Sequence, residues 1–141
     1  MDRRTERKLA FQIIFTLGFS KIEVDSETTL EEALNQFIFH QEIELNGDNK
    51  VFILSRYNGV CIYLNQIDDI ISKNLKGWSL KRLNKVDLAI LRLAVYEIYF
   101  EDIPKKVVVN EAVELAKLFS SDEGPSFING ILANLMKETA I

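Results

Sequence analysis

The stretch that most constrains this fold is Val86 to Phe100, VDLAILRLAVYEIYF, which holds three charges and neither Gly nor Pro in fifteen residues. As a helix it would be about 22 Å long, and its apolar groups point to every side, the pattern of a helix enclosed by others. The charges Asp87, Arg92 and Glu97 are spaced five apart, so helical geometry sends them in three directions rather than onto one wet face. Asp87 follows Asn84, a good N-cap, by three residues, where a negative charge suits the helix dipole and the side chain is free to face outward. Arg92 and Glu97 lie deeper and need partners. For Arg92 the expected partner is a carboxylate from another helix, Glu111 or Glu114.

The rest of the chain reads as helices arranged around this one. An amphipathic helix is expected over residues 3–19, from Leu9, Ile13 and neighbouring apolar positions. Its first turns carry Arg3, Arg4, Arg7 and Lys8, placed against the dipole at a cost of a few tenths of a kcal/mol each, roughly. A second helix should begin at Thr28 or Thr29, with Glu31 and Glu32 at capping-box spacing. A long third helix is expected from Lys50 to about Asn74, after turn chemistry at Asn46 to Asn49. Gly77 ends it, and residues 78–83 form a connector with a short helical turn. Asp102 and Pro104 stop the central helix. A fifth helix starts either near Lys105 or at Asn110, and a sixth starts with Pro125. Gly59 and Gly130, inside helical patterns, suggest close approach of another group. The expected class is all-α: two three-helix packets, roughly residues 1–76 and 77–141, around a buried central helix and forming one domain.

Composition limits the function. The chain is 141 residues long, 48% hydrophobic, with six Gly and two Pro, which suits an ordinary globular protein burying somewhat under about 70% of its unfolded surface. The lone Cys61 allows no internal disulfide or cysteine-cluster zinc site and reads as a core residue. No secretory h-region and no bilayer-length apolar run is present, so the expected setting is cytoplasmic, away from membranes. His40, the single histidine, has no nucleophile at an informative spacing. There is no HExxH, Walker or GxGxxG motif, and the carboxylates read as helix surface, so neither an enzyme nor a cofactor or metal is expected.

Charge distribution points elsewhere. The net charge is −4, yet residues 1–8 carry a local +2. A second basic island, Lys73, Lys76, Lys81, Arg82 and Lys85, contains no acid. Both are pointers to a polyanion, and both are also what solvated helix faces look like. Single-stranded RNA needs cations for phosphates and aromatic faces for unpaired bases, and the candidate aromatics are Phe15, Phe19, Trp78 and Phe127. Each could instead pack a core; Trp78 favours the core, whereas Phe127, after a Gly-Pro corner, could overhang a groove.

Four segments together carry a family resemblance: RRTERKLAFQIIF, VDLAILRLAVYE, IPKKVVVNEAVELAKLF and FINGIL. In this order and spacing the chain resembles the NusB family of bacterial transcription antitermination factors over essentially its whole length. The resemblance implies an all-helical, non-enzymatic RNA-binding protein that recognises boxA RNA of ribosomal RNA leaders. Its implied partners are NusE, a small-subunit ribosomal protein, and with it other Nus factors and elongating RNA polymerase. By position it implies RNA contacts from Arg3, Arg4, Arg7, Lys8, Phe15, Phe127, Asn129 and Gly130. It places Asp87 and Arg92 beside the RNA and NusE surfaces. The chain departs from the pattern in a short N-terminus, in Phe15 where tyrosine is expected, and in the acidic loop SSDEGPS, whose Asp122 and Glu123 should weaken binding to RNA alone. Two rivals remain. One is a helical protein-binding scaffold without RNA. The other is a NusB-like domain of an rRNA methyltransferase, for which the expected catalytic domain would have to follow Ile141.

Overall fold

A computed structural model describes residues 1–17, 35, 44–77 and 79–139. The expected second helix, together with Phe19, His40 and Trp78, lies outside the described residues. Among the described residues the structure holds six α-helices, one 3-10 turn and no strand, the all-α class expected. The helices are α1 Arg3–Leu17, α2 Gly47–Ile62, α3 Leu64–Lys73, α4 Lys85–Phe100, α5 Lys105–Phe119 and α6 Gly124–Thr139, with the 3-10 turn at Leu80–Arg82. The chain divides into two compact units, Met1–Cys61 and Ile62–Ile141.

In the first unit, α1 buries Leu9, Ala10, Phe11, Ile13 and Ile14, and α2 buries Phe52, Ile53, Tyr57 and Val60. The start of α1 explains how a basic first turn is tolerated. Asp2 caps it, its Oδ1 accepting from the Thr5 amide at 2.8 Å, and Glu6 adds a second negative charge to the first turn. The Thr5 hydrogen bonds hold the Asp2 carboxyl below its usual range. The residues read as a turn, Asn46 to Asn49, prove to be the capped start of α2. The Asn49 amide donates to Asn46 Oδ1 at 2.9 Å. The Asn49 side chain in turn donates to Glu6 Oε2 at 3.0 Å, a buried bond that ties α2 to α1.

In the second unit, α4 is the enclosed helix that the sequence implied. Asn84 caps it as expected, accepting from the Val86 amide at 2.8 Å. Ile90, Leu91 and Leu93 are fully buried, each worth about 1.5–3 kcal/mol relative to exposure. Helices α3 and α5 pack against α4, and α6 packs mainly on α5. The β-branched run Val107 to Val109 is helical, since α5 begins at Lys105, directly after Pro104. The expected long helix from Lys50 to Asn74 is broken at Tyr63, which leaves helical geometry at φ −102°, ψ 18°. No Pro or Gly stands there; the Tyr63 ring stacks on Phe100, with centroids 3.9 Å apart and planes 12° apart. At the other end of α3, the Asn74 side chain donates to the Ile70 carbonyl at 2.8 Å, and Gly77 turns the chain at φ +77°, a conformation open to glycine.

Candidate nucleic-acid interface

The predicted RNA-contacting residues fall in both units. In the first, Arg3, Arg4 and Lys8 are exposed on the opening turns of α1. Arg3 is held in place: its guanidinium lies 3.4 Å from Glu6 and 4.2 Å from the centroid of the Phe52 ring, which Arg56 also approaches at 4.0 Å. Arg4 and Lys8 stand one turn apart on one helix face, and each is engaged in an interaction. Arg7 is different. It is only 5% exposed, so its guanidinium is committed to the interior rather than offered to a phosphate. Helical period explains it, because position 7 falls on the same stripe as the buried Ala10 and Ile14. Phe15 is half-buried and tilted against Phe11 with ring centroids 6.2 Å apart, which leaves part of one ring accessible.

In the second unit, Phe127 sits half-buried in the first turn of α6, where it forms a ridge between two grooves. One groove, about 420 Å³, runs past Gly130 and Asn134 to Lys76. The other, about 390 Å³, leads to Arg82, Asn84, Asp87 and Glu123. Asn129 belongs to neither. It lines a third groove of about 490 Å³ between α5 and α6, flanked by Lys106 and Lys137. The FING segment therefore presents Phe127 and Gly130 on one side of α6 and Asn129 on another, as a spacing of two or three residues on a helix requires. Among the described residues no close approach accounts for Gly130, since a Cβ there would meet nothing within 4 Å.

Two expectations about α4 need correction. Asp87 does not face outward: it is 6% exposed and accepts a 2.5 Å hydrogen bond from Ser120 Oγ, although its carboxylate still borders the second groove. This bond draws the end of α5 onto α4, and Gly124 makes the arrangement possible, because a Cβ there would overlap the Ser120 side chain. Arg92 pairs neither with Glu111 nor with Glu114. Its Nε and Nη2 donate to the two oxygens of Asp68 on α3, both at 2.9 Å, a bidentate pair with side chains 19% and 23% exposed. Glu114 is engaged one turn along by Lys117 at 3.0 Å. The third charge, Glu97, is 1% exposed, and no buried side-chain polar atom among the described residues lacks a hydrogen-bond partner.

Asn134 and Lys76 also line the groove beside Phe127, which no motif marks. A signal was present: Asn134 follows Phe127 by seven residues, two helical turns, and so shares its stripe. Among the described residues there is no cluster of His, Cys, Asp or Glu able to hold a metal ion, and no helix is long and apolar enough to cross a membrane.

Residues 4–137 match the model of the NusB family. A transcription antitermination protein NusB of Staphylococcus haemolyticus is 47% identical over 135 residues, covering 96% of this chain and 99% of its own. The solved NusB of T. maritima superposes with a TM-score of 0.82 at 38% identity, covering 98% of this chain and 92% of that one. A NusB solved with NusE and double-stranded RNA has the same fold, with a TM-score of 0.81 at 24% identity over 96% of both chains.

Proposed function

This chain belongs to the NusB family, and on that premise we propose that it is a non-enzymatic, RNA-binding transcription antitermination factor. It binds boxA RNA of ribosomal RNA leaders together with NusE, in the cytoplasm, and joins other Nus factors on elongating RNA polymerase. The observation that carries the reading is Phe127, an aromatic ring left half-open at the head of α6 between two grooves that carry Lys76 and Arg82. Stacking on such a ring holds unpaired bases whatever their identity. Arg3, Arg4 and Lys8 supply the phosphate-directed, salt-dependent part of the affinity. Arg7 acts from inside, by fixing α1, and the Arg92–Asp68 pair holds α3 against α4, so that neither touches RNA directly.

Asp87 and the exposed Asp122 and Glu123 put negative charge close to Phe127, which opposes RNA bound without help. RNA binding alone is therefore modest, and NusE strengthens it. By linkage, RNA must then strengthen NusE binding by the same factor. The test is a titration of labelled boxA RNA and of a scrambled RNA, with and without NusE. The expected result is a preference for boxA that grows with NusE; equal affinities for the two RNAs would leave a protein-binding scaffold as the reading.

A further inference from the structure

The two grooves beside Phe127 differ in a way that assigns them different work. The one containing Asp87 and Glu123 sets two carboxylates against Arg82. The other contains no acid, and its cation is Lys76, on the connector after α3. Lys76 is exposed and makes no ion pair among the described residues, unlike Lys73 three residues earlier, which is paired with Asp69 at 3.1 Å. The facing wall is a single stripe of α6: Phe127, Gly130 and Asn134. Gly130 forms its middle, with backbone in place of a side chain and open space where a Cβ would stand. Asn134 stands at the far end, half-buried, its amide making no hydrogen bond among the described residues.

Ring, bare backbone, amide and cation are the four contacts that one unpaired nucleotide calls for. Phe127 and Asn134 are separated by about 10 Å along the helix axis, seven residues at 1.5 Å each, enough for one base lying lengthwise over Gly130 to reach from one to the other. A base lying over Gly130 has its face against the Phe127 ring and an edge toward the Asn134 amide, which both donates and accepts. The phosphate then falls to Lys76, the groove's one cation among the described residues. Resting on the RNA-binding reading above, we propose that this groove is a subsite for a single nucleotide of the bound RNA. In it Asn134 reads the base edge and Lys76 holds the phosphate. The subsite makes one position of the RNA sequence-specific, whereas stacking on Phe127 alone is indifferent to sequence.

The experiment uses the full chain with NusE and a set of boxA RNAs in which each position is replaced in turn by the other three bases. The unsubstituted protein should discriminate at several positions. Asn134→Ala should flatten one of them, with discrimination on the order of tenfold falling to within about twofold and the others unchanged. Asn134→Asp, of the same shape but without the donor, should alter preference at that same position. Lys76→Ala should instead weaken every RNA alike and lower the slope of log affinity against log salt by about 0.7. Gly130→Ala should weaken binding at least about fivefold without lowering the melting temperature, because its methyl group enters the groove and touches nothing else. An unchanged position profile in both Asn134 variants, in protein that still binds boxA, would overturn the subsite while leaving the RNA-binding reading intact. Failure of the unsubstituted protein to prefer boxA would overturn both.

Discussion

Two glycines six residues apart on α6 should respond to alanine with opposite signs. At Gly130 the backbone is ordinary helix and a Cβ meets nothing within 4 Å, so alanine removes conformational freedom from the unfolded chain at no steric cost. The gain should approach the full propensity difference, about 0.8–1 kcal/mol, or about 3–4 °C in melting temperature for a domain of this size. At Gly124 the same propensity term is overridden. The new Cβ would overlap both Cβ and Oγ of Ser120, and because Cβ is fixed by the backbone, no rotamer of Ser120 relieves the clash. Either the α5–α6 turn shifts or Ser120 withdraws from Asp87, which is 6% exposed and would lose its 2.5 Å bond. A hydrogen bond to a charged group is worth about 1.5–3 kcal/mol and overpacking a further 1–3 kcal/mol, so Gly124→Ala should destabilise by about 2–5 kcal/mol after the propensity gain is subtracted. Urea unfolding of both variants, followed by far-UV circular dichroism, measures the difference directly. If Gly124→Ala proved as stable as Gly130→Ala, the account of the Asp87–Ser120–Gly124 corner would be wrong.

Arg92 and Asp68 should couple by about 1–3 kcal/mol in a double-mutant cycle with alanine, above a surface pair and below a fully buried one, since both side chains retain some exposure; a value near zero would refute a structural role. Arg7→Ala should lower thermal stability by about 1–3 kcal/mol, whereas Arg4→Ala should leave the melt unchanged and reduce the salt slope of RNA binding. Burial, with the neighbouring Cys61, pushes the Tyr57 phenol well above its usual value. A raised folded-state pKa leaves stability intact below pH 10 and removes it as pH rises above the unfolded value. Tyr57→Phe should therefore flatten the alkaline arm of the stability profile, measured by urea midpoints between about pH 9 and 11.

Local chemistry was legible in the sequence wherever one residue type has one dominant reason to be present. Asn84 announced the start of α4, Pro104 its end, and Gly77 the turn after α3. The apolar wrap of Val86–Phe100 required a buried helix, since no other placement removes that much surface from water. The aromatic at Phe127 could be located at a helix head next to a corner, but its two possible uses, core or groove, could not be separated by spacing. Half-burial depends on what lies across from the ring, and that neighbour, Lys76, is 51 positions away in the chain.

The all-α class, the starts of α1 and α4 and the family were thus legible without coordinates. These follow from periodicity, caps and motif order, all of which act over a few residues. Tertiary structure alone decided where the charges went. It turned Asp87 inward to Ser120, matched Arg92 with Asp68 rather than with Glu111 or Glu114, and broke the long helix where Tyr63 stacks on Phe100. An ion pair or a ring stack depends on which helix faces which, and the periodicity of one helix carries no information about the azimuth of its neighbour.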